Sequence, residues 1–120
     1  MEESILNTIK DLLGIDSADT DFDNEIITNI NSAFSMLTQL GAGPKDGFFI
    51  TDETNLWSEY TDQSVLLHLV KLYVYLTVKM IFDPPASSGV MQAMDNQLKQ
   101  IEFRIVVEAE PYELSKPNDI

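Results

Sequence analysis

The sequence predicts a mainly α-helical, four-helix bundle-like domain organised around one central apolar helix. Three observations carry that prediction. The segment 62–82, DQSVLLHLVKLYVYLTVKMIF, is apolar at most positions from Val65 on. Its polar residues Ser64, His68, Lys71, Tyr75 and Lys79 are spaced four, three, four and four apart, which at about 100° per residue is one narrow stripe. A helix with one thin wet stripe has neighbours around most of its circumference. Three further segments repeat apolar residues at helical spacing, and glycine or proline punctuates the ends of the segments.

The first helix is predicted over 3–13, where Ile5, Leu6, Ile9, Leu12 and Leu13 form one stripe and Gly14 is a stop. A second begins near Asp21, because Thr20-Asp21-Phe22-Asp23 fits a capping pattern with acids in the first turn. Ile26, Ile27, Ile30, Ala33, Phe34, Leu37 and Leu40 mark its inner face, and Gly41 ends it. Its other face, Thr28, Asn29, Ser32, Ser35 and Gln39, is polar but uncharged; such a face is compatible with close subunit contact, and solvated surface is the favoured reading. Residues 43–60 change character. Gly43-Pro44 and Asp46-Gly47 are turn signals, and Phe48-Phe49-Ile50-Thr51 is a short strand candidate, so a long loop or small β-hairpin is expected between helices two and three. Phe48, Phe49 and Trp57 either fold back as a lid or anchor a partner.

Thr61 or Asp62 is expected to cap the central helix, and Asp83-Pro84-Pro85 to stop it. Ser87 or Ser88 caps a fourth helix, in which Met91, Met94, Leu98, Ile101 and Ile105 alternate three and four apart. Pro111 and Pro117 mark 111–120 as a flexible, extended C-terminal tail. The domain reading is therefore one helical domain over 1–110, with the 43–60 excursion inside it and the tail beyond.

Composition narrows the chemistry. With 20 acidic and 7 basic residues in 120, the net charge is −13. That argues against wrapping nucleic acid, which needs cations against phosphate. It suits a channel through which DNA slides without sticking. The chain has no cysteine, so disulfide and thiolate chemistry are excluded. An acidic N-terminus is the opposite of a secretory signal, so a soluble protein made in the cytoplasm is expected. The central run has the length of a membrane span, but His68, Lys71 and Lys79 lie within it. A charge at mid-bilayer costs ~2.5–3.5 kcal/mol, so a buried helix is expected and no membrane partner.

No catalytic, cofactor or metal site is expected. A calcium loop starting at Asp19 would need glycine sixth and glutamate twelfth, where Asn24 and Ile30 stand. His68 is the single histidine, too little for a zinc site or a triad with an alternative base.

The order of elements, the Phe22-Asp23-x-Glu25-Ile26-Ile27 start, the Gly41-x-Gly43-Pro44 turn and the stretch Lys71-x-Tyr73…Lys79-x-x-Phe82-Asp83-Pro84-Pro85 resemble the small helical head–tail connector (adaptor) proteins of tailed bacteriophages. The resemblance covers roughly Ile5 to Arg104. It implies a structural protein of the virion neck, made in the host bacterial cytoplasm and without enzymatic step or cofactor. It implies a ring, commonly twelve-fold, docked under the portal protein and meeting the next tail-proximal connector or stopper, while DNA passes without specific binding. The tail and the extended loop are the family's usual contact elements. The 43–60 excursion is longer here than in the most compact members.

A ring needs two different patches that meet. The stripe His68, Lys71, Tyr75 and Lys79 is the candidate subunit interface, complementary to the acidic front. Phe48, Phe49 and Trp57 are the candidate partner-binding loop, and Glu2, Glu3, Asp11, Asp16 and Asp19 the candidate channel-facing acids. Two other readings fit the same residues. One is an acidic regulator or inhibitor of a host protein; the other is a neighbouring tail-completion protein.

Overall fold

A computed structural model describes residues 3–115, with side chains through residue 109. Four helices follow in order: α1 (Ile5–Leu13), α2 (Asp23–Gln39), α3 (Ser64–Phe82) and α4 (Ser88–Ser115). As the apolar run predicts, α3 is the centre, and α1, α2 and α4 all pack on it. Leu66, Leu69, Val70, Tyr73, Val74, Leu76 and Val78 are buried there. By length and composition α3 would also suffice to cross a membrane; here one side of it packs on the other helices, while Val65 and Ile81 stand exposed.

Lys10 and two glycine turns shape the α1–α2 half. Ser4 caps α1, its side chain accepting from the Asn7 amide at 3.2 Å. Past its last turn, Gly14 and Ile15 donate to the carbonyls of Asp11 and Lys10. The same pairing ends α2, where Gly41 and Ala42 donate to Thr38 and Leu37. Gly41 has φ 90°, a left-handed conformation that glycine adopts without steric cost. Three expectations fail locally. Leu12, assigned to the apolar stripe, is 49% exposed, while Lys10 is 1% exposed. α2 starts at Asp23 with Phe22 before it and no side-chain cap; Asp19 instead accepts from the Asp21 amide within the connection. Neither Thr61 nor Asp62 caps α3. Its capping position is Gln63, without a side-chain bond.

The excursion between α2 and α3 contains no hairpin. Its one piece of regular structure is a 3₁₀ turn, Trp57–Glu59. The strand candidate around Ile50 finds a side chain where a strand would find a backbone. Asn31 of α2 accepts from the Ile50 amide at 2.7 Å and donates to its carbonyl at 3.0 Å. Both polar groups of a buried residue are satisfied without a sheet. Further on, Asn55 to Trp57 pairs antiparallel with the N-terminal segment, through Ile5 donating to Asn55 and Trp57 donating to Glu3.

The fourth helix begins where expected, with the Ser87 hydroxyl accepting from Val90 and its carbonyl from Met91. It ends later than expected. The helix runs across Pro111 to Ser115, so 111–115 belongs to α4 and not to an extended tail. Proline removes one backbone donor, yet residues on both sides of it are helical. Residues 116–120 of the expected tail lie outside the described residues.

Candidate functional site

Among the described residues no His, Asp and Glu cluster could hold a metal ion, so the candidate sites are surfaces, starting with those the sequence singled out. On the α3 stripe, Ser64 and His68 are exposed, and Lys71, Tyr75 and Lys79 are half-buried. Both lysines already hold carboxylates of their own chain. Lys71 reaches Glu3 at 2.7 Å and lies 5.6 Å from the centre of the Trp57 ring. Lys79 pairs with Asp83 at 2.8 Å, and that hydrogen bond holds its ammonium above the usual lysine range. Lys71 thereby ties the N-terminal segment and the 3₁₀ turn to α3.

The three aromatics of the excursion separate. Trp57 is buried, and its indole N–H donates to the Thr8 hydroxyl at 3.1 Å. Phe48 is half-buried and meets Phe34 and Tyr60 edge-on, at 5.0 and 5.2 Å between ring centres. Edge-to-face pairs of this kind add about 0.5–1.5 kcal/mol beyond area burial. Phe49 alone points outward, 70% exposed. The loop behind it is stiffened by side-chain bonds: Asn55 accepts from Thr51, and Asp52 from Thr54. Those Thr54 bonds lower the Asp52 carboxyl below its usual range.

Among the candidate channel acids, Asp11, Asp16 and Asp19 are exposed on α1 and the connection after it. Asp11 and Asp16 share an open cleft with Asn7, Ile15 and Ser17. Glu3 is engaged by Lys71, and Glu2 lies outside the described residues. The buried Lys10 is in their midst. Its ammonium donates to the carbonyls of Asp19 at 2.7 Å and Ser17 at 3.2 Å, and to the Asp23 carboxylate at 2.7 Å. It pins the acidic connection to the start of α2.

Sequence reasoning passed over the outer side of α4. Its exposed residues from 92 to 107 are Gln92, Ala93, Asn96, Gln97, Lys99, Gln100, Phe103, Arg104 and Val107. They include two cations and no carboxylate, in a chain of net charge −13. Of the α4 acids up to residue 109, Glu102 and Glu108 are half-buried, and Asp95, its side chain 44% exposed, is paired with Lys99 at 3.2 Å. Phe103 is 69% exposed. The spacing of Gln92, Asn96, Gln100, Phe103 and Val107, at four, four, three and four, carried this signal. It was masked by attention to the apolar seam on the other side.

No curated protein matches the chain, and no solved structure does. The profile described as phage connector protein matches residues 5–112, which spans all four helices. That coverage agrees with the mainly helical fold and with the resemblance read from the motifs. The chain belongs to the phage connector protein family, a family of structural virion proteins.

Proposed function

We propose that this protein is a head–tail connector that assembles as a ring beneath the portal, extends the DNA channel and links the capsid to the tail. The family match over residues 5–112 is the observation that carries the reading. The surface chemistry supports it. The acids of the α1–α2 connection, Asp11, Asp16 and Asp19 among them, are exposed and would repel a sliding phosphate backbone. On this reading they face the channel. Phe49, carried on a braced loop, is the anchor offered to a neighbouring neck protein, with Phe48 and Trp57 as its support rather than as contacts. His68 and Tyr75 remain available to a subunit contact on α3. Lys71 and Lys79 would serve it only by exchanging their internal carboxylates for a neighbour's.

The proposal is tested by co-sedimentation of the purified full chain with portal-bearing capsids and with capsids that lack the portal. Saturable binding confined to portal-bearing capsids is expected, at many copies per capsid. Equal binding to both kinds, or to neither, would overturn it.

A further inference from the structure

We infer that neighbouring copies of this chain meet through two particular faces: the outer side of α4 on one copy, and the outer side of α2 with its flanking groove on the next. The inference rests on the assembly reading above and names the contact it would use.

Charge is the first argument. Copies of a chain carrying −13 repel one another wherever their carboxylates are brought together. Besides the α3 stripe, two faces escape that repulsion. The outer side of α4 between Gln92 and Val107 holds Lys99 and Arg104; of the acids beside it, Asp95 is already neutralised by Lys99 at 3.2 Å and Glu102 accepts from Tyr73. On α2, no charged residue occurs between Glu25 and Lys45, and Thr28, Ser32, Ser35, Met36 and Gln39 are exposed.

The distribution of apolar groups is the second. Phe103 and Val107 stand exposed on the α4 face, at 69% and 44%, and Met36 at 48% on the α2 face. Beside α2 opens a groove of about 360 Å³, lined by Asn31, Ser35, Thr38, Gln39, Asp46 and Phe49 among others. It is large enough for a phenyl ring. Subunit contacts favour an aromatic centre depleted of charge and a charged rim. Seating Phe103 in this groove meets that description. Gln100 then faces the uncharged polar row of α2. Arg104 is next to Phe103 in the chain, so Asp46 in the groove lining is the acid offered to it, while Lys99 keeps its own Asp95 at 3.2 Å; Lys45 neighbours Asp46 but does not line the groove.

The third is topology. Both helices pack on α3, and the two faces are different surfaces of one molecule. Their contact is therefore heterologous and propagates from copy to copy.

The chain contains no cysteine, so cross-linking can be directed. Full-length Ser35→Cys and Gln100→Cys are prepared separately, checked by circular dichroism, and mixed in equal amounts with a short bis-maleimide, in solution and on portal-bearing capsids. The mixed dimer is expected about tenfold above the dimers of either variant alone, because a heterologous contact brings unlike positions together. Adding Phe103→Glu to the Gln100→Cys chain is expected to abolish that excess. A mixture no richer in dimer than its components, in both settings, would overturn the pairing. So would a stronger cross-link from Gln100→Cys to Asp11→Cys, which would put the acidic cleft opposite α4. Capsid binding of the unmodified chain is read in the same samples. If it persists without the mixed dimer, the pairing is wrong and the connector reading stands. If it is absent, the connector reading itself fails.

Discussion

Replacing Lys10 with methionine is expected to destabilise the fold more than replacing any other lysine of the described chain. The side chain is 1% exposed, and its ammonium has three acceptors within 3.2 Å. Methionine fills similar space, so the packing loss is small. What remains is two backbone carbonyls and one carboxylate without their donor. Breaking a buried ion pair by removing one partner costs about 3–5 kcal/mol. Asp23 is 23% exposed and regains part of its hydration, which places the loss near ~3 kcal/mol. Against a domain stability of about 5–15 kcal/mol this is large. The assay is urea unfolding followed by circular dichroism, with the midpoint falling and the slope unchanged. Lys79→Met is the control. Its partly exposed partner Asp83 is four residues on, at the C-cap of α3, and such surface pairs contribute about 0.3–0.5 kcal/mol. A loss below about 1 kcal/mol for Lys10→Met, or a loss equal to that of Lys79→Met, would refute the argument that a buried ammonium holds the α1–α2 connection.

Three further outcomes are expected. Asn31→Leu leaves the Ile50 amide and carbonyl unpaired and should cost ~2–3 kcal/mol, with faster hydrogen exchange at Ile50; unchanged exchange would show that Asn31 does not organise the loop. Gly43→Ala should cost ~2–4 kcal/mol, because Gly43 has φ 79° and an added Cβ would lie 2.5 Å from the Tyr60 ring; a neutral result by thermal melting would contradict that packing. Stability should fall as pH rises from about 10 to about 12. Burial, helped by the bond to Glu102, raises Tyr73 to about 12 in the fold against 10.0 in the unfolded chain, and burial raises Tyr60 as well. The unfolded state loses its protons first, so raising pH draws the equilibrium toward it. A urea unfolding midpoint that does not fall between pH about 10 and about 12 would contradict this.

The bundle was legible because its signals are periodic. The apolar run of α3, the stripes of α2 and α4, and Gly14 and Gly41 are local features that tertiary contacts reinforce. What escaped was the pairing of polar groups distant in sequence. Lys10 reads as a surface lysine in an acidic segment, and only the fold of 14–22 around it surrounds it with carbonyls. Asn31 reads as part of a polar face, and only the return of Ile50 makes it a substitute for a strand. Leu12 reads as core by spacing, yet α1 turns it outward so that Lys10 can enter. Pro111 reads as a breaker, yet the helix already established from Ser88 continues past it. The aromatics of 43–60 could be read as lid or as anchor, and the distinction between Trp57 and Phe49 depends on which one Thr8 and α3 can reach. For the interaction surfaces, the exposed side of α4 was visible in the spacing of Gln92, Asn96, Gln100, Phe103 and Val107. It gained meaning once Asp95 proved to be paired with Lys99 and Glu102 with Tyr73.

The most direct measurement is an image of the portal vertex. Portal-bearing capsids lacking this protein are incubated with it and examined by electron cryomicroscopy, with the vertex reconstructed separately. The connector account predicts a closed ring of density beneath the portal, coaxial with the DNA channel and absent without the added protein. An unchanged vertex under saturating protein, or density bound elsewhere on the shell, would contradict it.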